Sequence, residues 1–284
     1  MPGPVHTVAL EAAPGAWTLD QASPTADLAG LVEEYWEVQG QLDSFREALL
    51  PNGFVELMIN LGPPHQVHSD QAPGWWERSW YSGLQERALL IESASGTHLV
   101  SARLHPLGAW QLLGPWVAGV ANSIVDLEAA LGMDGRVLRE RLRAAGSPVE
   151  RFQLLEHFLT ARARCSSVTL PLVQQAAARI EAAHGHLRIS TLHEGLGTSR
   201  KHLSVSFTRH LGLTAKSYAR IHRFVWTLAR LRENENVEWS QLAIAAGYSD
   251  QSHLARDFQR VGGASPTEYL RRSMPDVTAL LTDG

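Results

Sequence analysis

The feature that most constrains this chain is a repeat in its C-terminal third. Residues of one type recur at an offset of 51 positions: Leu203 and Leu254, Phe207 and Phe258, Arg209 and Arg260, Gly212 and Gly263, Tyr218 and Tyr269, and Arg220 and Arg271. Upstream, the pairs Leu192 and Leu242, Gly197 and Gly247, and Ser199 and Ser249 are 50 apart, so the second copy carries one added residue. A fixed offset over this many positions predicts two copies of one supersecondary unit.

Each copy is predicted to be a helix, a tight turn and a second helix. In the second copy Gly247 suits the left-handed turn position after a helix end, and Ser249 or Asp250 suits the N-cap of the next helix. Leu254 and Phe258 lie at positions i and i+4, which places them on one inward stripe and leaves a polar face outward. This pattern is typical of a helix-turn-helix, whose second helix reads the major groove of DNA.

Residues 171 to 272 resemble the DNA-binding domain of the AraC/XylS family of transcriptional regulators. The residues that carry the resemblance are Leu203, Phe207, Gly212 and Tyr218 in the first copy, and Ala243, Gly247 to Leu254, Phe258, Ser265, Pro266 and Tyr269 in the second. The chain departs from the family pattern at His193, at Ala215 and at Gly262, which precedes Gly263. The resemblance implies an all-α domain of two helix-turn-helix motifs joined by a long helix, which Thr214 is predicted to cap.

The resemblance also implies which side chains contact DNA. The base-contacting positions are Lys201, Ser204 and Val205 in the first recognition helix, and Gln251, Ser252 and Arg256 in the second. Glutamine can pair bidentately with adenine, and arginine with guanine. The candidates for phosphate contacts, which position a protein without specifying sequence, are Arg200, Arg209, Ser249, Arg260 and Arg271. A long connecting helix predicts that the two recognition helices enter adjacent major grooves, about 34 Å apart.

Charge is distributed unevenly along the chain. Residues 168 to 273 hold 14 Lys and Arg against 8 Asp and Glu, whereas residues 1 to 167 hold 11 against 19. The basic part coincides with the repeat, where positive charge supplies sequence-independent attraction to phosphates. The charge pattern therefore agrees with double-stranded DNA as a partner.

The N-terminal half is predicted to be a small β-sheet or barrel followed by helices. Phe54 to Leu61 is an apolar, β-capable run that follows the turn Pro51-Asn52-Gly53, and three short strands are predicted between residues 80 and 104. Residues 28 to 38 are predicted as strand or short helix, residues 1 to 24 as loop or frayed strand, and residues 65 to 80 as a loop that leads into a strand. Helical periodicity begins at Val125, and a further helix begins at Pro148.

Residues 30 to 160 resemble the β-rich, sensor-like domain attached to some AraC-type regulators. Matching segments include Leu50-Pro-Asn-Gly53, Glu56 to Gly62 and Arg103 to Ala109. The predicted fold is α+β with two domains, which the length of 284 residues suits. Residues 1–165 form a β-rich sensor or dimerisation domain with helices near its C-terminal end, 166–170 a linker, 171–273 the double helix-turn-helix domain, and 274–284 a loose tail.

Two kinds of function follow from these expectations. The first is a sequence-specific transcriptional regulator, an activator or a repressor, in which a small-molecule effector acts on the N-terminal domain. RNA polymerase and a second copy of the chain are possible further partners, and a ligand-independent regulator that only dimerises through its N-terminal half is a variant of this idea. The alternative is an enzyme with a β-barrel active site fused to a DNA-targeting domain.

Few residues suggest other chemistry. Trp75, Trp76 and Trp80 either line an effector pocket or pack the sheet, and packing is favoured. The pairs His65 and His68, and His184 and His186, lack a third ligand in a recognisable pattern, so no metal is predicted. No cofactor is predicted either, because the sequence lacks a Gly-rich phosphate loop, a nucleophile elbow and paired catalytic carboxylates.

The single cysteine, Cys165, excludes an internal disulfide and a multi-cysteine zinc site. The N-terminus lacks the basic start and apolar run of a signal peptide, and no apolar stretch approaches the roughly 20 residues that span a bilayer. A cytoplasmic location is therefore expected.

Overall fold

The computed structural model describes residues 1–12, 15–42, 45–68, 73–93, 96–165, 170–233, 237–272 and 279–281. Its N-terminal half is built from antiparallel strands, and one short strand near the C-terminus joins them. The strands are β1 (His6–Ala12), β2 (Gly15–Ala22), β3 (Val32–Leu42), β4 (Phe45–Leu49), β5 (Val55–Asn60), β6 (His65–His68), β7 (Gly74–Trp76), β8 (Ser79–Ser82), β9 (Leu89–Ser93), β10 (His98–Leu104), β11 (Ile124–Asp126) and β12 (Ala279–Leu281). The predicted β-rich N-terminal half is confirmed.

Two sheets face each other in this half. The first has the strand order β1-β2-β3-β10-β5-β8-β11, and the second has the order β12-β4-β9-β6-β7. Side chains alternate between the two faces of a strand. In the first sheet Tyr35, Leu57 and Val100 therefore pack into one core with the helices, whereas Met58 and Leu99 pack into a second core between the sheets.

Two parts of this half and the C-terminal tail differ from the sequence-based expectations. Residues 1–24, expected as loop or frayed strand, contain the hairpin β1–β2, in which His6 pairs with Gln21. Residues 65–68, expected in a loop, form β6, which pairs with β9. The tail, expected to be loose, contributes β12, which pairs with β4. In each case a partner strand supplies the hydrogen bonds, and local sequence does not show that partner.

Four α-helices and one 3₁₀-helix follow the strands. They are α1 (Pro106–Leu113), the 3₁₀-helix Pro115–Val120, α2 (Leu127–Leu131), α3 (Met133–Ala144) and α4 (Pro148–Cys165). Buried polar contacts fix α4 to β3. Arg151 donates to both carboxylate oxygens of Glu37 at 2.7 and 2.6 Å, and Glu156 accepts a hydrogen bond from Tyr35 at 2.8 Å.

The C-terminal region is helical. Its helices are α5 (Pro171–Ala182), α6 (Ile189–Leu192), α7 (Arg200–Leu211), α8 (Ala215–Glu233), α9 (Trp239–Ala245), α10 (Gln251–Gly262) and α11 (Pro266–Arg272), with a short 3₁₀ turn at Glu194–Leu196. Thr214 Oγ1 accepts from the Ser217 N–H at 3.1 Å and so caps the long helix α8, as predicted. The first motif is thus α6 to α7, the second is α9 to α10, and α8 joins them.

The two motifs repeat down to their caps. Ser199 Oγ accepts from the third N–H of α7 at 3.1 Å, and Asp250 Oδ1 accepts from the third N–H of α10 at 2.8 Å. Gly212 and Gly263 end these helices with left-handed φ angles of 71° and 73°. Of the two N-caps predicted for the second motif, Asp250 is the one observed. The duplicated unit is therefore confirmed at the level of individual hydrogen bonds.

The N-terminal and C-terminal regions pack against each other. A Cβ on Gly212 would lie 2.1 Å from the Ala118 carbonyl oxygen, so the end of α7 meets the first 3₁₀-helix backbone to backbone. The Ala88 N–H donates to the Val261 carbonyl at 2.7 Å. The domain boundary at residues 166–170 stays a prediction, because residues 166–169 lie outside the described part of the chain.

Candidate nucleic-acid interface and ligand cavity

The outer face of α7 is exposed along the length that was expected to meet DNA. Leu203 and Phe207 are buried and hold the helix to the domain core. Lys201, Ser204 and Val205 point to solvent, and Val205 is 56% exposed. An apolar side chain on an otherwise polar surface suits contact with a thymine methyl group.

The outer face of α10 has the same arrangement. Leu254 and Phe258 are buried, while Gln251, Ser252 and Arg256 are exposed. The Arg256 Nε–H donates to the Ser252 carbonyl at 3.2 Å and leaves the other guanidinium nitrogens outward. The chain therefore brings all six expected base-contacting residues to the surface of the two recognition helices.

The candidate phosphate contacts surround these faces. Arg200, Arg209, Ser249, Arg260 and Arg271 are all exposed. The Ser249 hydroxyl donates to the Asp250 carboxylate at 2.9 Å. The backbone hydrogen bond from His253, followed by this hydroxyl, lowers the pKa of Asp250, so its carboxylate caps α10 in the ionised form.

The N-terminal region leaves both recognition faces open. It packs against the last turn of α7, where the Trp110 and His210 rings lie 5.2 Å apart, and against Gly212. It reaches α10 at Val261, also near the helix end. The N-terminal halves of both helices, which carry most of the expected base contacts, are free of these packing contacts.

A cavity of about 240 Å³ lies between the two sheets. Trp17, Trp36 and Trp80 line it together with apolar side chains such as Met58 and Ile91. On the first sheet Trp36, Met58 and Trp80 alternate with Tyr35, Leu57 and Tyr81, which pack in the core that contains the helices. One face of this sheet therefore lines the cavity, and the other face packs against the helices.

One side of the cavity is closed by the loop of residues 50 to 54. Leu50, Asn52 and Phe54 line the cavity. Leu50 also packs in a core cluster with Phe224 of α8 and Phe258 of α10. This loop is thus shared by the cavity wall and the DNA-binding region.

A row of polar side chains crosses the first sheet inside the cavity. Glu34, Arg103, Glu56 and Ser82 are register neighbours on β3, β10, β5 and β8. The Arg103 Nε–H donates to Glu56 at 2.7 Å, and its Nη1 forms an ion pair with Glu34. Burial lowers the pKa of Arg103, but Glu56 and Glu34 outweigh this and raise it, so the guanidinium stays charged. Burial raises the pKa of Glu34.

Further polar side chains line the cavity, among them those of His65, Thr97 and Glu47. His65 is 2% exposed, its Nδ1 lies 3.0 Å from Ser93 Oγ, and burial lowers its pKa to about 4, so the ring is neutral at pH 7. Within the described residues, His65 Nε2 and Thr97 Oγ1 are buried without a hydrogen-bond partner. Burial raises the pKa of Glu47 to about 7.

Comparison with known proteins agrees with the geometry of the recognition helices. Residues 192–272 match a family described as a helix-turn-helix domain, of the AraC type. This region of the chain is therefore an AraC-type helix-turn-helix domain. Residues 20–126 match a family described as a domain of unknown function, DUF6597. No curated protein sequence matches the chain.

The chain also matches solved structures, among them the following three. ToxT from Vibrio cholerae O395 is 12% identical over 84% of this chain and 97% of its own, with a TM-score of 0.47. The C-terminal domain of AraT from Geobacillus stearothermophilus is 24% identical over 39% and 93%, with a TM-score of 0.36. The AraC-like transcriptional activator CuxR is 13% identical over 79% and 87%, with a TM-score of 0.34. Since these TM-scores lie below 0.5, the assignment depends on the helix-turn-helix match.

The three tryptophans considered as effector contacts differ in their position relative to the cavity. Trp80 lines the cavity, with the Trp76 ring 6.3 Å from its own, whereas Trp75 is 59% exposed. The residues that sequence reasoning missed are the carboxylates Glu34, Glu47 and Glu56. A signal was present for two of them, because Glu34 and Glu56 precede Trp36 and Met58 by two residues and so share their face of a strand.

The histidine pairs take up other roles in the structure. His65 was expected in a solvated loop but is buried on β6, because its strand pairs with β9. His186 packs edge-on against Trp226 at 4.9 Å. In the described ranges no group of three His, Cys, Asp or Glu side chains has metal-binding geometry. The Cys165 side chain lies outside the described part, and no described helix has the length and apolarity to cross a bilayer.

Proposed function

We propose that the chain reads one DNA site with two recognition helices in adjacent major grooves, and that a small molecule in the inter-sheet cavity sets its DNA affinity. The observation that carries the first part is the outward placement of matched residues on α7 and α10. Both faces stay open while the N-terminal region is docked.

The side chains on these faces divide by role. Lys201, Ser204 and Val205 on α7, and Gln251, Ser252 and Arg256 on α10, contact base edges. Arg200, Arg209, Ser249, Arg260 and Arg271 contact phosphates. Base contacts give sequence preference, whereas phosphate contacts add affinity for any duplex.

The shared loop supports control by a ligand. A molecule in the cavity touches Leu50, Asn52 or Phe54, and a shift of this loop changes the packing of Leu50 on Phe224 and Phe258. A Cβ on Gly53 would lie 3.2 Å from the His222 ring, so the loop also rests directly on α8. The ligand-bound and ligand-free states then differ in how α8 and α10 are supported.

The test compares two arginines of the same helix. A duplex that binds the full chain is first selected from a random library, and Kd is then measured for this site and for random DNA at several salt concentrations. We expect Arg256→Ala to weaken binding to the selected site by about 1–3 kcal/mol and to leave random DNA nearly unaffected. We expect Arg260→Ala to weaken binding to both duplexes and to reduce the salt slope by about one.

The proposal fails if the wild-type chain binds the selected and random duplexes equally well. It also fails in its assignment of roles if the two substitutions have the same effect on both duplexes.

Other parts of the functional picture stay predictions. These are contact with RNA polymerase, pairing of two copies of the chain, and a cytoplasmic location. The helix-turn-helix match favours a regulator over the enzyme that the sequence left open.

A further inference from the structure

The ionisable groups that line the cavity are unbalanced in charge. Three carboxylates, those of Glu34, Glu47 and Glu56, face one guanidinium, that of Arg103. His65 is neutral at pH 7 and does not restore the balance. With Arg103 matched to one carboxylate, the cavity keeps an excess of negative charge.

The guanidinium of Arg103 is already engaged. Its Nε forms an ion pair with Glu56, and its Nη1 forms an ion pair with Glu34. Glu56 also accepts hydrogen bonds from Ser101 Oγ at 2.7 Å and from Trp36 Nε1 at 3.2 Å. An incoming carboxylate would have to break this network and would be repelled by the ionised carboxylates around it, so the cavity disfavours anionic ligands.

Glu47 is a cavity carboxylate that has no hydrogen-bond or ion-pair partner among the described residues. It lies on the second sheet beside Ile91 in register and lines the cavity. Burial is the one influence on its pKa, since the described residues offer its carboxylate no hydrogen bond or ion pair. A cation inside the cavity would supply the missing counter-charge.

The other side chains that line the cavity suit the uncharged part of a cationic ligand. Trp17, Trp36, Trp80 and Phe54 present aromatic surface, and aromatic faces attract organic cations as well as apolar groups. His65 Nε2 and Thr97 Oγ1 have no hydrogen-bond partner among the described residues, and each can bond to a hydroxyl or carbonyl group of the ligand.

We propose that the cavity binds an amphipathic organic cation, an amine or ammonium group on an aromatic or alkyl body, with Glu47 as its counter-ion. The surplus charge of the Glu34, Arg103 and Glu56 row favours the same sign of ligand. This inference rests on the proposed ligand control and names the chemical class of that ligand.

Three probes with one body and different heads test the inference. They are 4-phenylbutylamine, 4-phenylbutan-1-ol and 4-phenylbutyrate, titrated into the full chain by calorimetry at pH 8. We expect the amine to bind at least about tenfold more tightly than the alcohol, and the acid to bind more weakly than either.

Substitution of the counter-ion tests the residue. Glu47→Gln should bring the amine to within about threefold of the alcohol and leave alcohol binding unchanged. Glu77→Gln is the matched control, because this exposed carboxylate lies away from the cavity and its loss should change nothing. Glu34→Gln should also weaken amine binding selectively, and it replaces Glu47→Gln in the test if that variant does not fold.

The pH dependence has a defined sign. Glu47 ionises near pH 7, and only its ionised form pairs with a cation. Amine affinity should therefore rise from pH 6 to pH 8 in the wild-type chain and stay flat in Glu47→Gln.

The proposal is overturned if the acid binds as tightly as the amine, if Glu47→Gln leaves the amine preference intact, or if none of the probes binds at millimolar concentration. Parallel DNA titrations separate this from the regulatory proposal. If the acid or alcohol binds and shifts DNA affinity, ligand control stands and the cationic class falls. If the amine binds selectively and DNA affinity is unchanged, the cationic class stands and ligand control falls.

Discussion

At the scale of single residues, the ion pair of Glu37 and Arg151 shows how the N-terminal half holds its helices. Glu37 is 1% exposed, and Arg151 and His98 both donate to it. Burial by itself would raise the pKa of Glu37, but the hydrogen bonds from His98 and Arg151 outweigh burial and hold it below its usual value. A buried carboxylate that loses such a partner is costly.

Arg151→Met should therefore lower the free energy of unfolding by about 3–5 kcal/mol, because Glu37 stays buried with one partner fewer. The double variant Glu37→Met with Arg151→Met should recover most of this loss. Since the folded pKa of Glu37 is lowered, its stabilising effect is present above pH 4.5 and is lost as the pH falls further. Urea unfolding followed by circular dichroism measures all three chains, and equal stability of Arg151→Met and wild type would contradict the prediction.

The same scale shows which site residues the sequence alone could predict. Lys201 and Arg256 were predicted as base contacts from the family resemblance, and helical spacing and the repeat predicted the exposed helix faces on which they lie. Glu34, Glu56 and Arg103 were missed because their grouping depends on strand register between segments far apart in the chain. Cross-strand neighbours of this kind carry no local periodicity that joins them.

At the scale of elements, the repeat places the two helix-ending glycines in matched conformations but different surroundings. Both φ angles are near +70°. A Cβ on Gly212 would meet the Ala118 carbonyl at 2.1 Å, whereas a Cβ on Gly263 would meet Ala88 Cβ at an ordinary 3.8 Å. The first position is therefore an interface contact, and the second is only a helix end.

Alanine at these two positions should separate the cost of backbone strain from the cost of a steric clash at the interface. Gly263→Ala should cost about 1–2 kcal/mol of stability, from left-handed backbone strain in a residue with a Cβ. Gly212→Ala should cost a further 1–3 kcal/mol or so, because the 3₁₀-helix must move away from α7. Thermal unfolding of the full-length variants gives the comparison. Equal losses of stability in the two variants would show that the backbone at Ala118 moves away from α7 without an energetic cost.

Elements were predicted best where one local pattern was enough. The helices of the C-terminal region followed from apolar spacing, caps and glycine positions, and α7, α8 and α10 appear where the repeat placed them. The strands β6 and β12 were missed, and β1 was expected only as loop or frayed strand, because the stability of these strands comes from β9, β4 and β2. A short strand is specified by its neighbours more than by its own residues.

At the scale of the whole molecule, two side chains supplement the backbone hydrogen bond from Ala88 to Val261 in joining the cavity side to the second recognition helix. One is Leu50, which lines the cavity and packs on Phe258. The other is Arg220 on α8, whose Nη1 lies 4.0 Å from Glu86 and whose Nε lies 3.5 Å from Asp257 on α10. Because Asp257 adjoins Arg256, a change in the support of α10 reaches a residue expected to contact a base.

Coupling between the cavity and α10 through Leu50 has a thermodynamic signature. Whichever phenylbutyl probe binds the cavity should change the Kd for the selected DNA site by at least about fivefold, and DNA should change the Kd for the probe by the same factor. Leu50→Ala should bring both factors towards one, because it deletes the side chain that the cavity and α10 share. Leu90→Ala is the matched control, since Leu90 lies on β9, the strand paired with β4, but outside the cavity lining. If Leu50→Ala shows the same change in Kd as the wild type, the signal passes through Arg220 or another contact. If the probe and DNA change each other's Kd by different factors, they act on different populations of the protein.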